Sequence, residues 1–413
     1  MRTTFLKDVS IILIFCIPLS CGKVVPESLV DPADGVVVID SEGRTRYSIV
    51  YGDDSVNAEG LNNAFKILYG GQMPVYRDNT VRKGGNDRAI LIGNTQLRET
   101  KDALSSISGQ GFVIKVDHKE IIIVGTDGAW STYALYSFEK NVLTNRAYYL
   151  DGHLVIPNDL VIREDSKDPQ MIAKLINLGL EFDLDSELIL TCQGKEPITV
   201  SQGGTSDGKF FYFALRDNKD SQTVVYKYDI ESLKYVSHSD VFHGGHSNDM
   251  TYNQNDNLLI VAHGQTEGES LTILDAATLK VLKDITISVG SGAIVYNDRR
   301  KLYAISQGGK TLHFADVDFN VQRSFSRVDI DGYTAQGMGC DDYYLYFPMS
   351  GKNDNILVVY DWDGNYIRTI RMNLAPESET MYYSAGRYYV NCNTSTKSEL
   401  YLITPKYHYV YRR

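Results

Sequence analysis

Five short strand-like segments recur down the second half of this chain at nearly constant spacing. They are Phe-Phe-Tyr-Phe-Ala from Phe210, Leu-Leu-Ile-Val-Ala from Leu258, Leu-Tyr-Ala-Ile-Ser from Leu302, Tyr-Leu-Tyr-Phe-Pro from Tyr344 and Tyr-Tyr-Val-Asn-Cys from Tyr388. Their starts are separated by 48, 44, 42 and 44 residues. A period of roughly 40–50 residues is that of a four-stranded propeller blade, a unit that buries its apolar faces only by stacking on its neighbours. Polar turns precede the segments at Asp207-Gly208, Asn255-Asp256, Asp298-Arg299, Asp341-Asp342 and Ala385-Gly386. Third strands follow at Val224–Asp229, Leu271–Asp275, Leu312–Asp316, Ile356–Asp361 and Leu400–Thr404. The expectation is an all-β, five-bladed propeller over residues 197–413. A sixth blade would have to come from the poorly patterned Ile172–Leu190 region.

At 413 residues the chain suits two domains, and its 43% hydrophobic and 23% charged residues are those of a globular protein. A balance of 41 basic to 52 acidic residues with no Lys/Arg-dense stripe argues against nucleic acid as a partner. The N-terminus is a different material. Arg2 and Lys7 precede an apolar run from Ile11 to Leu19, an export signal too short to count as a spanning helix. Leu19-Ser20-Cys21-Gly22 resembles a bacterial lipobox, departing from it at Pro18, where the pattern prefers Leu. The resemblance implies a signal peptide over residues 1–21 and lipidation of Cys21. It implies attachment to the membrane through that anchor alone, at the outer membrane or cell surface or on the periplasmic face of the envelope. Cys192, Cys340 and Cys392 would then remain as thiols, an odd number that rules out a disulfide framework.

Residues 36–157 alternate strand and amphipathic-helix patterns, with strands expected at Tyr47–Tyr51, Pro74–Arg77, Ala89–Ile92, Phe112–Val116 and Ile121–Val124. Helices are expected near Glu59–Leu68, Leu97–Ile107 and Trp130–Val142. Three pieces carry a resemblance: Arg88-Ala-Ile-Leu-Ile-Gly93, Gly111-Phe-Val-Ile-Lys-Val116, and Ile121-Ile-Ile-Val-Gly125 followed by Ala129-Trp-Ser-Thr-Tyr-Ala-Leu-Tyr-Ser-Phe-Glu139. In order and spacing they resemble the small α/β accessory domain ahead of the catalytic barrel in β-hexosaminidase-like and α-glucuronidase-like glycoside hydrolases. The resemblance implies an α+β accessory domain and a link to glycans, although no barrel pattern follows. The Gly125-Thr-Asp-Gly128 turn offers part of a phosphate-cradling fingerprint and is better read as a tight turn. Residues 158–196 are expected to connect the halves, with Arg163–Pro169 as the linker proper.

In a propeller the inner strands surround the channel, so function is sought there. Counting back nine residues from each middle strand gives Ser201, Asp249, Ala293, Ala335 and Glu379, and one residue on gives Gln202, Met250, Ile294, Gln336 and Thr380. Two carboxylates near an axis are costly unless paired, hydrated, ligand-bound or protonated. Around one of them the chain reads Phe242-His243-Gly244-Gly245-His246-Ser247-Asn248-Asp249, where flexible glycines would let two imidazoles approach the channel mouth. The expected catalytic set is Asp249, Glu379 and His246, and the expected substrate-binding set is His243, Asn248, Gln202, Gln336 and Glu377. Tyr252, Tyr296 and Trp362 are candidates for stacking on sugar rings.

Four readings fit this cluster. A glycoside-cleaving site would pair Asp249 with Glu377 or Glu379 as acid and base or nucleophile. A site can also bind glycan without chemistry. A divalent cation at the channel would take His243 or His246 with Asp249 and Glu379, though His-x-x-His alone is loose spacing and no cofactor is expected from it. The polar residues can also simply hold blades together. Taken together, the sequence points to a carbohydrate-active envelope protein that binds an oligosaccharide and carries carboxylates suited to cleaving it, or to a non-catalytic scaffold binding glycan or protein.

Overall fold

The computed structural model describes residues 31–52, 57–78, 88–166, 170–219, 222–264, 268–307, 310–394 and 396–407. The segment expected as a signal peptide, with Cys21, lies outside them. The chain divides into two compact units, one of residues 1–169, 179–181 and 405–413 and the other of 170–178 and 182–404. No helix among the described residues is long and apolar enough to cross a membrane.

The first unit carries β1 (Gly35–Ile39), β2 (Tyr47–Tyr51), α1 (Ala58–Tyr69), β3 (Val75–Arg77), β4 (Arg88–Ile92), α2 (Arg98–Ser105), β5 (Gln110–Asp117), β6 (Glu120–Gly125), α3 (Gly128–Phe138), β7 (Tyr149–Leu150), β8 (His153–Pro157) and β9 (Val161–Ser166). A six-stranded mixed sheet runs β3-β2-β4-β6-β5-β9, and β1-β8-β7 form a second, three-stranded sheet. Near-continuous apolar runs such as Ile121 to Val124 are buried on both faces, as parallel strands require. Helix α1 begins where the Asn57 side chain accepts from Gly60 N at 2.7 Å, and ends at Gly70, in the left-handed region at φ 74. At α3 the Asp127 carboxylate accepts from Trp130 N at 3.0 Å, so the helix start is capped by its own acid. That capping suits the tight-turn reading of Gly125–Gly128, because the Asp127 carboxylate already takes the anion position at the helix start.

The second unit begins with α4 (Met171–Asn177) and β10 (Phe182–Cys192). Three separate four-stranded antiparallel sheets follow: β11 (Val200–Ser206) to β14 (Tyr235–His238), β15 (Asp249–Asn253) to β18 (Val281–Thr286), and β19 (Ala293–Asn297) to β22 (Val321–Ser326). Their middle strands are β12 (Phe210–Arg216), β16 (Leu258–Ala262) and β20 (Leu302–Gln307), and their third strands β13 (Thr223–Asp229), β17 (Ser270–Asp275) and β21 (Thr311–Ala315). Then β23 (Thr334–Ala335) and β24 (Gly339–Cys340) form a broken inner strand beside β25 (Tyr344–Ser350), β26 (Asn355–Asp361) and β27 (Tyr366–Asn373). Last come β28 (Glu377–Ser384), β29 (Arg387–Asn393) and β30 (Ser398–Tyr407), whose outer neighbour is β10. The inner strands meet in a cycle, β11 with β15, β15 with β19, β19 with β24, β24 with β28, and β28 with β11. The fold is mostly β and propeller-like.

The stretch 158–196, expected as a connection, therefore contains three elements. Arg163 to Ser166 lie in β9, paired with β5, and Leu184 and Asp185 of β10 pair in parallel with Met372 and Asn373 of β27. The α4 region is not a further blade. Gln170 at its start receives a hydrogen bond from Asp342 N and donates from Nε2 to Asp342 Oδ2, both at 3.1 Å, and Tyr344 OH donates to Asn177 Oδ1 at 2.6 Å. Helix α4 thus packs where inner strands turn into middle strands.

The recurring acid at each third-strand end has a local cause. Asp229, Asp275, Asp316 and Asp361 accept the backbone N–H of Ser232, Thr278, Asn320 and Asn365 at 2.8, 2.7, 2.9 and 2.8 Å, closing the turn into the outer strand. Between sheets the middle-strand residues pack in apolar clusters, such as Tyr212, Ala214, Leu259 and Val261, where a fully buried leucine or valine contributes about 1.5–3 kcal/mol.

Close packing at the axis has one severe demand. A Cβ on Gly339 would lie 1.6 Å from Met381 O, and one on Gly203 would lie 2.5 Å from the Asp249 carbonyl carbon. Gly339→Ala is expected to cost more than about 3 kcal/mol in a denaturant melt, as a forced backbone shift does. Gly208→Ala, at φ +87 with nothing within 4 Å, is expected to cost only about 1 kcal/mol of backbone strain. Equal stability of the two variants would contradict the packing described.

Candidate functional site

Three of the inner strands carry one extra residue at the same level of the ring. In β11 the register slips between Ser201 and Gly204, in β28 between Ser378 and Thr380, and the break between β23 and β24 sets Ala335 and Gly339 against Met349 and Tyr346. Strands β15 and β19 pair without a slip. A bulge adds a residue on one strand only, so a fixed count of nine lands early where one occurs. Gly203 and Gly337, rather than Ser201 and Ala335, pack against Asp249: a Cβ on Gly337 would lie 2.9 Å from Asp249 Cγ and 2.6 Å from Glu379 O.

Asp249 is fully inaccessible to solvent. Its Oδ1 accepts from Met250 N at 2.9 Å, and its Oδ2 accepts from Ile294 N and Met338 N, both at 3.0 Å. Those donors belong to its own inner strand, to the next, and to the one after. Burial pushes the carboxyl up to about 7, against the three N–H groups and a Thr380 hydroxyl, which favour the anion. Glu379 is equally inaccessible, and neither of its oxygens closes a hydrogen bond of good geometry. Burial drives its carboxyl well above the usual range, and Glu377 and Asp249 add to this. Arg216 and the Asn393 side chain pull the other way. Both are the acids expected to perform chemistry, and neither reaches solvent here.

The remaining residues divide. Asn248 is buried and its Nδ2 donates to Gly292 O and Gln336 O, stitching three inner-strand approaches together. Gln336 Nε2 donates to Glu377 Oε1 at 3.0 Å, so Asn248, Gln336 and Glu377 form one chain, with Glu377 exposed. Gln202 is buried, and its Nε2 turns back to Ser201 O at 2.7 Å. His246 is half-buried, with Nε2 3.4 Å from an Arg216 nitrogen, and His243 is exposed, edge-on to His263 with ring centres 5.8 Å apart.

The glycines between these imidazoles do not act as a hinge. Gly245 sits at φ +56, and a Cβ there would meet His263 Cβ at 2.8 Å, so the turn is held tightly against β16. Among the described residues no three His, Cys, Asp or Glu side chains gather as a metal-holding group. The sugar-stacking candidates are occupied in packing: Trp362 and Tyr296 are only 2% and 5% exposed, and Tyr252 OH donates to Asn257 at 3.1 Å.

Sequence reasoning missed Arg216 and Asn393, which end middle strands β12 and β29 and reach the Glu379 neighbourhood. It also missed Asp341, at the turn between inner and middle strands. Asp341 accepts from Tyr343 N and Tyr344 N at 2.8 Å, from Tyr346 OH at 2.5 Å and from Tyr388 OH at 2.6 Å, and burial pushes it up to about 6. The Asp-x-x-x-x-Tyr spacing, shared with Asp207 and Tyr212 at 2.7 Å, was the available signal.

No protein-family model matches this chain, and no curated protein matches it. Among solved structures, the glutaminyl cyclase of Myxococcus xanthus aligns over 55% of this chain and 99% of its own, at 11% identity and a TM-score of 0.41. A tail fibre of a Staphylococcus aureus phage aligns over 58% of this chain and 56% of its own, at 15% identity and a TM-score of 0.38. A β-propeller domain from Myceliophteria thermophila aligns over 52% and 99%, at 9% identity and a TM-score of 0.33. These likenesses are remote.

The raised carboxyls dictate a pH dependence. Asp249 and Asp341 hold protons more tightly folded than unfolded, so through them the native state binds more protons from about pH 4 to pH 7 and loses stability as pH rises through that window, and Glu379 is shifted in the same direction. The melting transition of the second unit is expected to move upward on acidification from pH 8 to pH 5. A fall over that interval would refute the assignment.

Proposed function

We propose that this protein is a non-catalytic binding scaffold: a five-bladed β-propeller whose last blade is completed by β10, preceded by an α+β accessory domain. One observation carries the reading. The two carboxyls that would have to work as acid and nucleophile are sealed from solvent, and the oxygens of Asp249 are already engaged by peptide N–H groups of three inner strands. A glycosidase needs both carboxyls against the sugar, at about 5–5.5 Å or 6.5–9.5 Å from each other.

The ligand class we infer is glycan, bound at the ring face where β12 and β29 end and β28 begins. Support comes from the side chains there, Gln336 and Glu377 with the imidazoles His243 and His246, whose amide, carboxylate and ring nitrogens suit hydroxyl groups. The resemblance of residues 36–157 to accessory domains of glycoside hydrolases points the same way. Export and lipid attachment at Cys21 complete the proposal and rest on the N-terminal sequence alone.

A glycan array probed with protein beginning after Cys21 is expected to show binding, with no product released on prolonged incubation. Glu377→Ala and His246→Ala are each expected to weaken that binding about tenfold. Asp249→Asn is expected to lower the melting temperature while leaving binding by the folded fraction intact. Release of cleaved sugar, lost in Asp249→Asn, would restore the catalytic reading.

A further inference from the structure

Asp249 is accounted for by the peptide groups around it; Glu379 is not. Its carboxyl is as inaccessible as that of Asp249, yet both oxygens stand without a well-formed hydrogen bond. Gln202 is in the same position: 4% exposed, with its Nε2 spent on Ser201 O and its Oε1 without a partner. A buried acceptor left unsatisfied costs about 1–3 kcal/mol, and more if it is charged. Such groups in a folded protein signal something that fills them.

The two residues belong to the same seam. Glu379 is the extra residue of the bulge in β28, Gln202 lies in the bulge of β11, and these two strands pack on each other. Asn391, paired across from Thr380, donates to Gln202 O at 2.8 Å and so fixes the two bulges side by side. The local charge is also unbalanced: Glu379 feels two other carboxyls, Glu377 and Asp249, against the one guanidinium of Arg216. The unfilled atoms of Glu379 and Gln202 are oxygens, the donor type of hard cations.

We propose that Glu379 and Gln202 hold one hard cation, of the calcium or sodium kind, in the seam between the first and last inner strands. The ion takes the Glu379 carboxylate and the Gln202 amide oxygen and offsets the excess negative charge. It uses neither histidine, which separates it from the imidazole-based site the sequence suggested. It also stands independently of glycan binding, because its readouts are ion content and melting temperature.

The test uses the full chain after treatment with a chelator and dialysis. Adding Ca2+ at constant ionic strength is expected to raise the melting temperature by about 5 °C at saturation, and elemental analysis is expected to find one ion per chain. A response to Na+ alone would assign the monovalent ion to the same site. Glu379→Gln is expected to stay folded and lose the response, and Gln202→Ala is expected to weaken the apparent affinity about tenfold. If Glu379→Gln does not fold, the Gln202→Ala titration decides. A melting temperature unmoved by Ca2+ and Na+, or an undiminished response in the variants, would overturn the proposal.

Discussion

The ring depends on one carboxylate that binds backbone rather than ligand. Asp249 reaches peptide N–H groups on three inner strands, and that places a single side chain in control of the spacing of a large part of the axis. Ordinary contacts in such a ring are pairwise, one sheet to the next, as in the cluster of Ile260, Ile273, Ile294 and Ile305. A three-way contact at the centre couples sheets that share no face. It also explains why a charged residue type sits where apolar packing would be cheaper: no aliphatic side chain can accept from three donors at once.

The opposite end of the ring has its own organiser in Asp341. Two phenols and two peptide groups converge on it, and one of the phenols, Tyr388, comes from the following sequence repeat. Both acids therefore act as hubs. Asp249 and Asp341 fix geometry, as buried polar groups do when hydrogen bonds engage them.

Much of this was legible in the chain. The period of the aromatic segments located the middle strands, and the small polar residues before them located the turns, because both follow from local chemistry: pleated aromatic surfaces and Asx turns. The outer strands were not legible. Val281 to Thr286 of β18 is exposed along nearly its whole length and shows no alternation to read. The bulges were hidden too, since an added residue leaves no composition signature, and they shifted the axis-facing positions from Ser201 and Ala335 to Gly203 and Gly337. The acids Asp249 and Glu379 stand out in the sequence as carboxylates at inner-strand positions, and both prove buried. Only burial could reveal that Asp249 serves the backbone, because sequence shows a side chain's chemistry but not which partners surround it.

Strand β10 closes the last sheet from the far end of the unit. Its Asp185 receives the Asn373 side-chain amide at 2.5 Å, and Ser186 Oγ donates to Asn373 O at 2.6 Å, contacts that join residues almost two hundred positions apart. During synthesis β10 emerges before any of its neighbours exists, and it has to wait, unpaired, until β30 and β27 have been made. Three sheets can form in turn while that edge stays open, but the circle cannot shut on a partial chain. A ribosome that stalls within the repeats would leave a product with an exposed strand edge, the feature that aggregation and quality-control systems act on. The arrangement makes completion of the polypeptide a condition of closing the ring.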